Sequence, residues 1–232
     1  MRCVRLIALG CACAILALAQ LPAASAATQP ACDLDGAHVV RQTSTTAILD
    51  TYAPPSHTGN VYDSGGTFYY GCWKPTERLT QFGVLPNLSA GNDYPGVDLL
   101  RIGGPWVALV ETDAITVDDS FSSTIVLADT LTGRTYQPPL PYRPWIDGRP
   151  PNIAISALAL NRCGTLAYAL QRFAGLHLPA NSELMLWRLH HPPVRAFTGK
   201  IEPRSVRIGH RYLYWRSAQR LNRRRIPGPA CL

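Results

Sequence analysis

The sequence has little that would build an α-helical protein. Outside the first 26 residues, no stretch shows the 3.6-residue apolar period of an amphipathic helix, and 20 prolines and 18 glycines interrupt the chain. Proline breaks helices and central strands, and both residue types are common in turns, so this composition favours short strands joined by tight connections. We therefore expect an all-β chain, with no helix longer than two turns between Ala27 and Leu232.

The sequence also lacks the short motifs that mark several classes of enzyme. It has no phosphate-binding glycine loop, no Gly-x-Ser-x-Gly motif and no Cys-x-x-Cys pair. The segment Asp63–Gly66 resembles the nucleophile loop of chymotrypsin-like proteases, but Ser64 comes too early for the histidine and aspartate that precede the serine in that family. A hairpin turn explains the segment better, and we predict no catalytic residue, cofactor or metal site.

The only long apolar run lies at the start of the chain. Residues 1–26 resemble a secretory signal, with Arg2 and Arg5 before an apolar stretch and small residues at Ala24–Ala26. The apolar stretch falls short of the ~20 residues that a membrane-spanning helix needs. The sequence therefore predicts a secreted protein without a transmembrane segment, cleaved near Ala26 and continuing as a single domain over 27–232.

Cysteine usage supports export. The signal contains three of the seven cysteines, and four remain in the mature chain: Cys32, Cys72, Cys163 and Cys231. An even number of cysteines in an exported chain predicts two disulfides. The residues before Cys11 resemble a degenerate bacterial lipobox, but their apolar run is too short, so lipoprotein anchoring ranks below plain secretion.

A repeated phrase is the strongest architectural signal. Residues 101–108 return as 207–214, and a looser copy occupies 160–167. Self-similarity of this kind is typical of propellers and solenoids, in which each unit stacks on its neighbours. The predicted strands form four units: 39–42, 47–52, 68–73 and 79–82; 98–102, 106–111, 124–128 and 134–137; 155–160, 165–170, 183–189 and 194–197; and 205–208, 212–216 and 219–225.

These units predict a particular fold class. We expect repeated antiparallel, blade-like sheets in a partial or small, about four-bladed β-propeller-like domain. The last unit lacks a clear fourth strand, and a proline-rich crossover at 138–151 joins the second unit to the third.

Residues 158–168, 201–206 and 212–215 carry a family resemblance. They resemble a family of uncharacterised secreted proteins from high-GC Gram-positive bacteria, with degenerate blades similar to those of Tol-type and WD-repeat propellers. The resemblance implies a fold and no activity. The chain departs from the family pattern at Cys163, in a turn that the family usually fills with a polar residue, and at Cys231, after the last strand. This joint departure, with the even number of mature cysteines, predicts a disulfide between the two. Cys32 would then pair with Cys72, although four cysteines allow three connectivities.

Positive charge is concentrated at the C-terminal end. Residues 188–232 contain 11 basic residues and a single acid, Glu202, whereas 27–187 contain 9 basic and 14 acidic residues. Export makes anionic envelope polymers or lipid headgroups the expected partners, ahead of nucleic acid. A charge run alone is more often a solvated strand edge, which natural sheets protect with charge, than a binding surface. The candidate binding residues are Arg216, Arg220, Arg223, Arg224 and Arg225.

Two functional hypotheses follow. The first is an exported binding or structural module that contacts an anionic envelope component through its basic C-terminal segment. The second is a secreted hydrolase that uses acids in the 111–119 loop, namely Asp113, Asp118 or Asp119 near Glu111. The second requires two carboxylates to converge about 5 to 10 Å apart. His190 and His191 are interpreted as surface residues, since neighbours on a strand point to opposite faces.

Overall fold

The computed structural model describes residues 32–54, 65–86, 96–115, 120–140, 153–172 and 181–227. In these ranges the regular structure is β-strand, apart from two single-turn 3-10 helices at Lys74–Thr76 and Pro203–Ser205, so the all-β prediction is confirmed there. None of the helices in the described ranges is long and apolar enough to span a bilayer. The predicted signal and the centre of the predicted crossover lie outside the described residues.

The strands form four consecutive antiparallel meanders, here called units 1 to 4. Unit 1 contains β1 (His38–Gln42), β2 (Thr46–Ala53), β3 (Gly66–Trp73) and β4 (Arg78–Pro86). Unit 2 contains β5 (Gly96–Gly103), β6 (Trp106–Ile115), β7 (Ser120–Asp129) and β8 (Arg134–Tyr136). Unit 3 contains β9 (Ile153–Leu160), β10 (Leu166–Arg172), β11 (Ser182–Trp187) and β12 (Val194–Gly199). Unit 4 contains β13 (Arg207–Ile208), β14 (Tyr212–Ser217) and β15 (Arg220–Arg225).

Each predicted strand coincides with one of these, and unit 4 has three strands in the described residues. Units 2 and 3 are joined into one eight-stranded sheet by a short parallel pairing of β7 with β9, at Ser122 and Ile153. All other strand pairs are antiparallel neighbours within a unit, as expected for chain segments joined by hairpins.

The repeated phrase forms the same element each time, the hairpin between the first two strands of units 2, 3 and 4. Neighbouring hairpins contact one another closely. The Thr46 hydroxyl, in unit 1, donates a 2.6 Å hydrogen bond to the Gly104 carbonyl in unit 2. A Cβ atom at Gly103 would lie 2.5 Å from the Asn161 carbonyl oxygen in unit 3. Glycine is therefore required where the unit 2 hairpin meets the unit 3 backbone.

Arginine side chains connect the first strands of successive units. Arg41 of β1 donates a 3.0 Å hydrogen bond to the Leu100 carbonyl of β5, and Arg101 of β5 donates a 2.8 Å bond to the Leu158 carbonyl of β9. Burial, and then the nearby charge of Arg41, lowers the pKa of Arg101. Arginine stays protonated in proteins, so these are charge-assisted bonds that hold one unit to the next.

The apolar core lies between the units. A buried cluster occupies each of the three interfaces between successive units. Ile48 and Leu109 belong to the cluster between units 1 and 2, and Leu127 and Tyr168 to the one between units 2 and 3. Leu184 and Trp215 belong to the cluster between units 3 and 4. Each unit thus buries its apolar side chains against its neighbours, which is the packing expected of a repeat protein.

The outer face of unit 1 has its own cover. Residues Cys32, Leu34 and Ala37, which precede β1, pack against a small cluster that includes Cys72. Cys32 and Cys72 form a disulfide with a Cα to Cα distance of 6.0 Å, so this predicted pair is confirmed. Cys163 is also disulfide-bonded, and its predicted partner, Cys231, lies outside the described residues.

Tyr168 offers a test of the interface between units 2 and 3. Its side chain is fully buried, and its hydroxyl has no hydrogen-bond partner among the described residues. Because an unpartnered buried hydroxyl costs free energy, we expect Tyr168→Phe to raise the free energy of unfolding by about 1 kcal/mol. Burial raises the pKa of Tyr168 above its usual 10.0. Above pH 10 the hydroxyl therefore ionises in the unfolded parent before it does in the folded parent, and the parent's free energy of unfolding falls. The phenylalanine variant has no such loss, so its stability advantage grows with pH. Urea unfolding of both proteins at pH 7 and pH 10.5 measures this, and a destabilised phenylalanine variant would contradict it.

Candidate functional site

The basic C-terminal segment forms unit 4, and the alternation of β14 defines its two faces. Leu213 and Trp215 are buried against unit 3, whereas Tyr212, Tyr214 and Arg216 point to the opposite side. The two tyrosines are half-buried and Arg216 is exposed. One face of unit 4 therefore joins the core and the other faces outward.

The register of the sheet shows which side chains share the outward face. Residues directly opposite one another in an antiparallel ladder lie on the same face. The outward-facing pairs are Arg225 with Tyr212, Arg223 with Tyr214, Leu221 with Arg216, and Arg207 with Tyr214. We call this set of seven residues the Arg/Tyr face.

The Arg/Tyr face combines guanidinium groups with aromatic rings. The Arg223 guanidinium carbon lies 5.4 Å from the centroid of the Tyr212 ring, and the rings of Tyr212 and Tyr214 are 6.2 Å apart. The four arginines are exposed, and Leu221 retains 69% of its accessible surface. Stacking on a ring restricts an arginine side chain, so less conformational entropy is lost when its guanidinium group binds an anion.

The five arginines predicted as binding residues divide between the two faces. Arg216, Arg223 and Arg225 lie on the Arg/Tyr face, while Arg220 and Arg224 alternate to the other side of β15. Arg224 donates hydrogen bonds of 3.0 and 2.7 Å to the carbonyls of Arg195 and Ala196 in β12, so it connects unit 4 to unit 3.

Sequence reasoning missed four members of the face: Arg207, Tyr212, Tyr214 and Leu221. The strict alternation of Tyr212, Leu213, Tyr214 and Trp215 in the sequence could have identified the two tyrosines. Arg207 becomes part of the face only through the pairing of β13 with β14.

A cleft of about 350 Å³ opens between units 2 and 3. Its lining consists of Tyr136, Gln137, Pro139, Trp187, Leu189, His190, His191 and Pro192. The two histidines are exposed, as predicted, but they lie in a turn after β11 rather than on a strand, and both border the cleft. Within the described ranges, no cluster of three or more histidine, cysteine, aspartate or glutamate side chains could hold a metal ion.

The acids of the hydrolase hypothesis are only partly described. Glu111 of β6 accepts a 3.2 Å hydrogen bond from the Val84 amide of β4, so its carboxylate contacts unit 1. The backbone of Asp113 lies in β6 opposite Ser122, while its side chain, Asp118 and Asp119 lie outside the described residues. The hydrolase hypothesis therefore stays a prediction.

No protein-family model, curated protein or solved structure matches this chain. The predicted kinship with secreted proteins of high-GC Gram-positive bacteria stays a prediction. The functional argument therefore depends on the chemistry of the Arg/Tyr face.

Proposed function

We propose that this protein is an exported, disulfide-stabilised β-repeat binding module whose Arg/Tyr face binds an anionic polymer of the cell envelope. The observation that carries the proposal is a solvent-exposed sheet face with four arginines and two tyrosines. The only acid from residue 188 onward is Glu202, which lies outside the three strands of unit 4, so the face has no neutralising partner on its own strands.

The spacing of the charges favours a polymer over a single small anion. Alternate residues of a strand are about 7 Å apart and neighbouring strands about 5 Å apart. Arg223 and Arg225 are therefore separated along β15, and Arg207 and Arg223 are separated by the width of β14. Guanidinium groups so distributed suit a chain with regularly repeating phosphate or carboxylate groups, to which arginine donates paired hydrogen bonds.

The unit arrangement supports an open, propeller-like stack. The first strands of successive units contact one another, β1 with β5, β5 with β9 and β9 with β13, as the inner strands of propeller blades do. In a closed ring, the outward face of the last blade would be covered by the first. The Arg/Tyr face is instead exposed, and a polar outer face is what a terminal unit of an open stack requires.

The disulfide supports export, because such bonds persist in oxidising compartments outside the cytosol. Together with the predicted signal at residues 1–26, it supports a location in which envelope polymers are accessible to the face. Mass determination of the secreted protein's N-terminus checks this part of the proposal.

Neutralising the Arg/Tyr face should weaken polymer binding. We expect the triple variant Arg216→Gln, Arg223→Gln, Arg225→Gln to bind poly(glycerol phosphate) at least about tenfold more weakly than the parent, since roughly 1.4 kcal/mol of lost interaction is a factor of ten. A matched control removes three exposed charges from other elements: Arg134→Gln, Lys200→Gln, Arg204→Gln. Binding to immobilised polymer is measured at one fixed salt concentration for all three proteins.

The control separates a site from a general charge effect. Equal losses in the two triple variants would show that net charge alone attracts the polymer and would overturn the proposal. Single-stranded DNA and vesicles of anionic phospholipid serve as competitors, and preferential binding to either would replace the envelope polymer as the ligand.

A further inference from the structure

Unit 4 is one strand shorter than the others in the described residues. Units 1, 2 and 3 end in the fourth strands β4, β8 and β12, whereas no described strand pairs with the outer edge of β15. β15 is regular over its whole length and pairs residue by residue with β14. Its outer edge is thus in the position that a fourth strand takes in the other units.

The turn before β15 identifies the backbone groups on that edge. Ala218 and Gln219 have φ values of +48° and +62°, the paired positive values of a two-residue hairpin turn, so Ser217 and Arg220 form the hydrogen-bonded closing pair. Hydrogen-bonded and non-hydrogen-bonded pairs alternate along an antiparallel ladder. The amide and carbonyl groups of Leu221, Arg223 and Arg225 therefore point away from β14.

The side chains around this edge restrict what can pair with it. A strand added beside β15 would place every second side chain next to Leu221, Arg223 and Arg225, and the intervening ones near Arg220 and Arg224. Like charges directly opposite one another destabilise a sheet, so two copies of β15 would repel each other. An acidic strand would instead place carboxylates beside arginines.

We propose that the edge of β15 binds an extended acidic segment of a partner protein, which adds to unit 4 as its fourth strand. Backbone hydrogen bonds from Leu221, Arg223 and Arg225 supply the affinity, as in other cases of strand addition. Acidic side chains at alternate positions supply specificity. The site shares the Arg223 and Arg225 side chains with the Arg/Tyr face, but its backbone hydrogen bonds play no part in polymer binding, so blocking backbone pairing separates the two.

The test removes an edge amide without changing a charge. Leu221→Pro deletes an N–H that points away from β14, at an exposed edge position where proline is tolerated in sheets. Leu221→Ala is the matched control. The probe is a fluorescent peptide of alternating glutamate and threonine, eight residues long, and its binding is followed by fluorescence anisotropy. We expect the proline variant to bind about tenfold more weakly and the alanine variant to stay within about threefold of the parent.

A second experiment uses the parent protein, so it gives a result even if the proline variant folds poorly. The same peptide, N-methylated at every backbone amide, keeps its charge but has no backbone N–H to donate on either edge; it should bind the parent at least about tenfold more weakly. Equal binding of the methylated and plain peptides would overturn the proposal. The methylated peptide leaves the protein unaltered, and the polymer-binding proposal is tested separately by poly(glycerol phosphate) binding of Arg216→Gln, Arg223→Gln, Arg225→Gln, so failure of the edge and failure of the polymer-binding proposal give different results.

Discussion

Removing the Cys32–Cys72 disulfide, as the double variant Cys32→Ala, Cys72→Ala, is expected to lower the free energy of unfolding by about 4 kcal/mol. The two cysteines are 40 residues apart in sequence, and closing a loop of that size restricts the unfolded chain strongly. The bond also ties residues 32–37 over the outer face of unit 1, where Cys72 is fully buried. Its loss therefore also loosens the cover of a small apolar cluster.

Thermal unfolding measures this effect. For a chain of this length, the expected loss corresponds to a midpoint lower by roughly 10 °C. Reduction of the parent with dithiothreitol should produce a decrease at least as large, because Cys163 is also disulfide-bonded. A double variant with the parent's midpoint would show that the segment before β1 adds nothing to stability.

Gly103→Ala is the second change with a large expected effect, a loss of about 3 kcal/mol in the free energy of unfolding. A Cβ at this position would meet the backbone carbonyl of Asn161 at 2.5 Å and the Leu160 side chain at 2.9 Å. Backbone atoms cannot move aside as the end of a flexible side chain does, so units 2 and 3 would have to separate.

Gly209 provides a matched control, because it occupies the same position of the repeated phrase in unit 4. A Cβ there would meet its nearest atom, at the edge of the half-buried Tyr214 ring, at 3.3 Å, which requires a shift of only a few tenths of an ångström. Gly209→Ala should cost less than about 1 kcal/mol. Urea unfolding of both variants measures the difference, and equal losses would contradict the close stacking of the unit 2 and unit 3 hairpins.

The strands were predictable because proline and glycine mark their ends so clearly. The sequence predicts short strands such as 47–52 and 212–216, which correspond to β2 (Thr46–Ala53) and β14 (Tyr212–Ser217). The sequence also showed no clear fourth strand in the last unit, and the described residues contain three strands there. Strand boundaries were less accurate, as for β7, which begins at Ser120 rather than at 124, since weakly apolar residues give little signal at strand ends.

The composition of the site was only partly predictable. A run of arginines in the sequence does not show which side chains share a face, because this depends on register, and a shift of one residue exchanges the two faces. Arg223 and Arg225 belong to the Arg/Tyr face, whereas Arg224 bonds to β12. The cleft between units 2 and 3 also depends on how separate hairpins pack, which no local pattern encodes.

The salt dependence of polymer binding tests the central claim, that the Arg/Tyr face is a polyanion-binding site, most directly. For single-stranded nucleic acid, the logarithm of the binding constant falls linearly with the logarithm of salt concentration, by about 0.7 per neutralised phosphate. Poly(glycerol phosphate) is also a flexible chain of phosphates, so we expect a slope of this order. With poly(glycerol phosphate), the slope of Arg216→Gln, Arg223→Gln, Arg225→Gln should be shallower than the parent's by about 2, while Arg134→Gln, Lys200→Gln, Arg204→Gln keeps the parent's slope. Identical slopes for the parent and the face variant would contradict the claim.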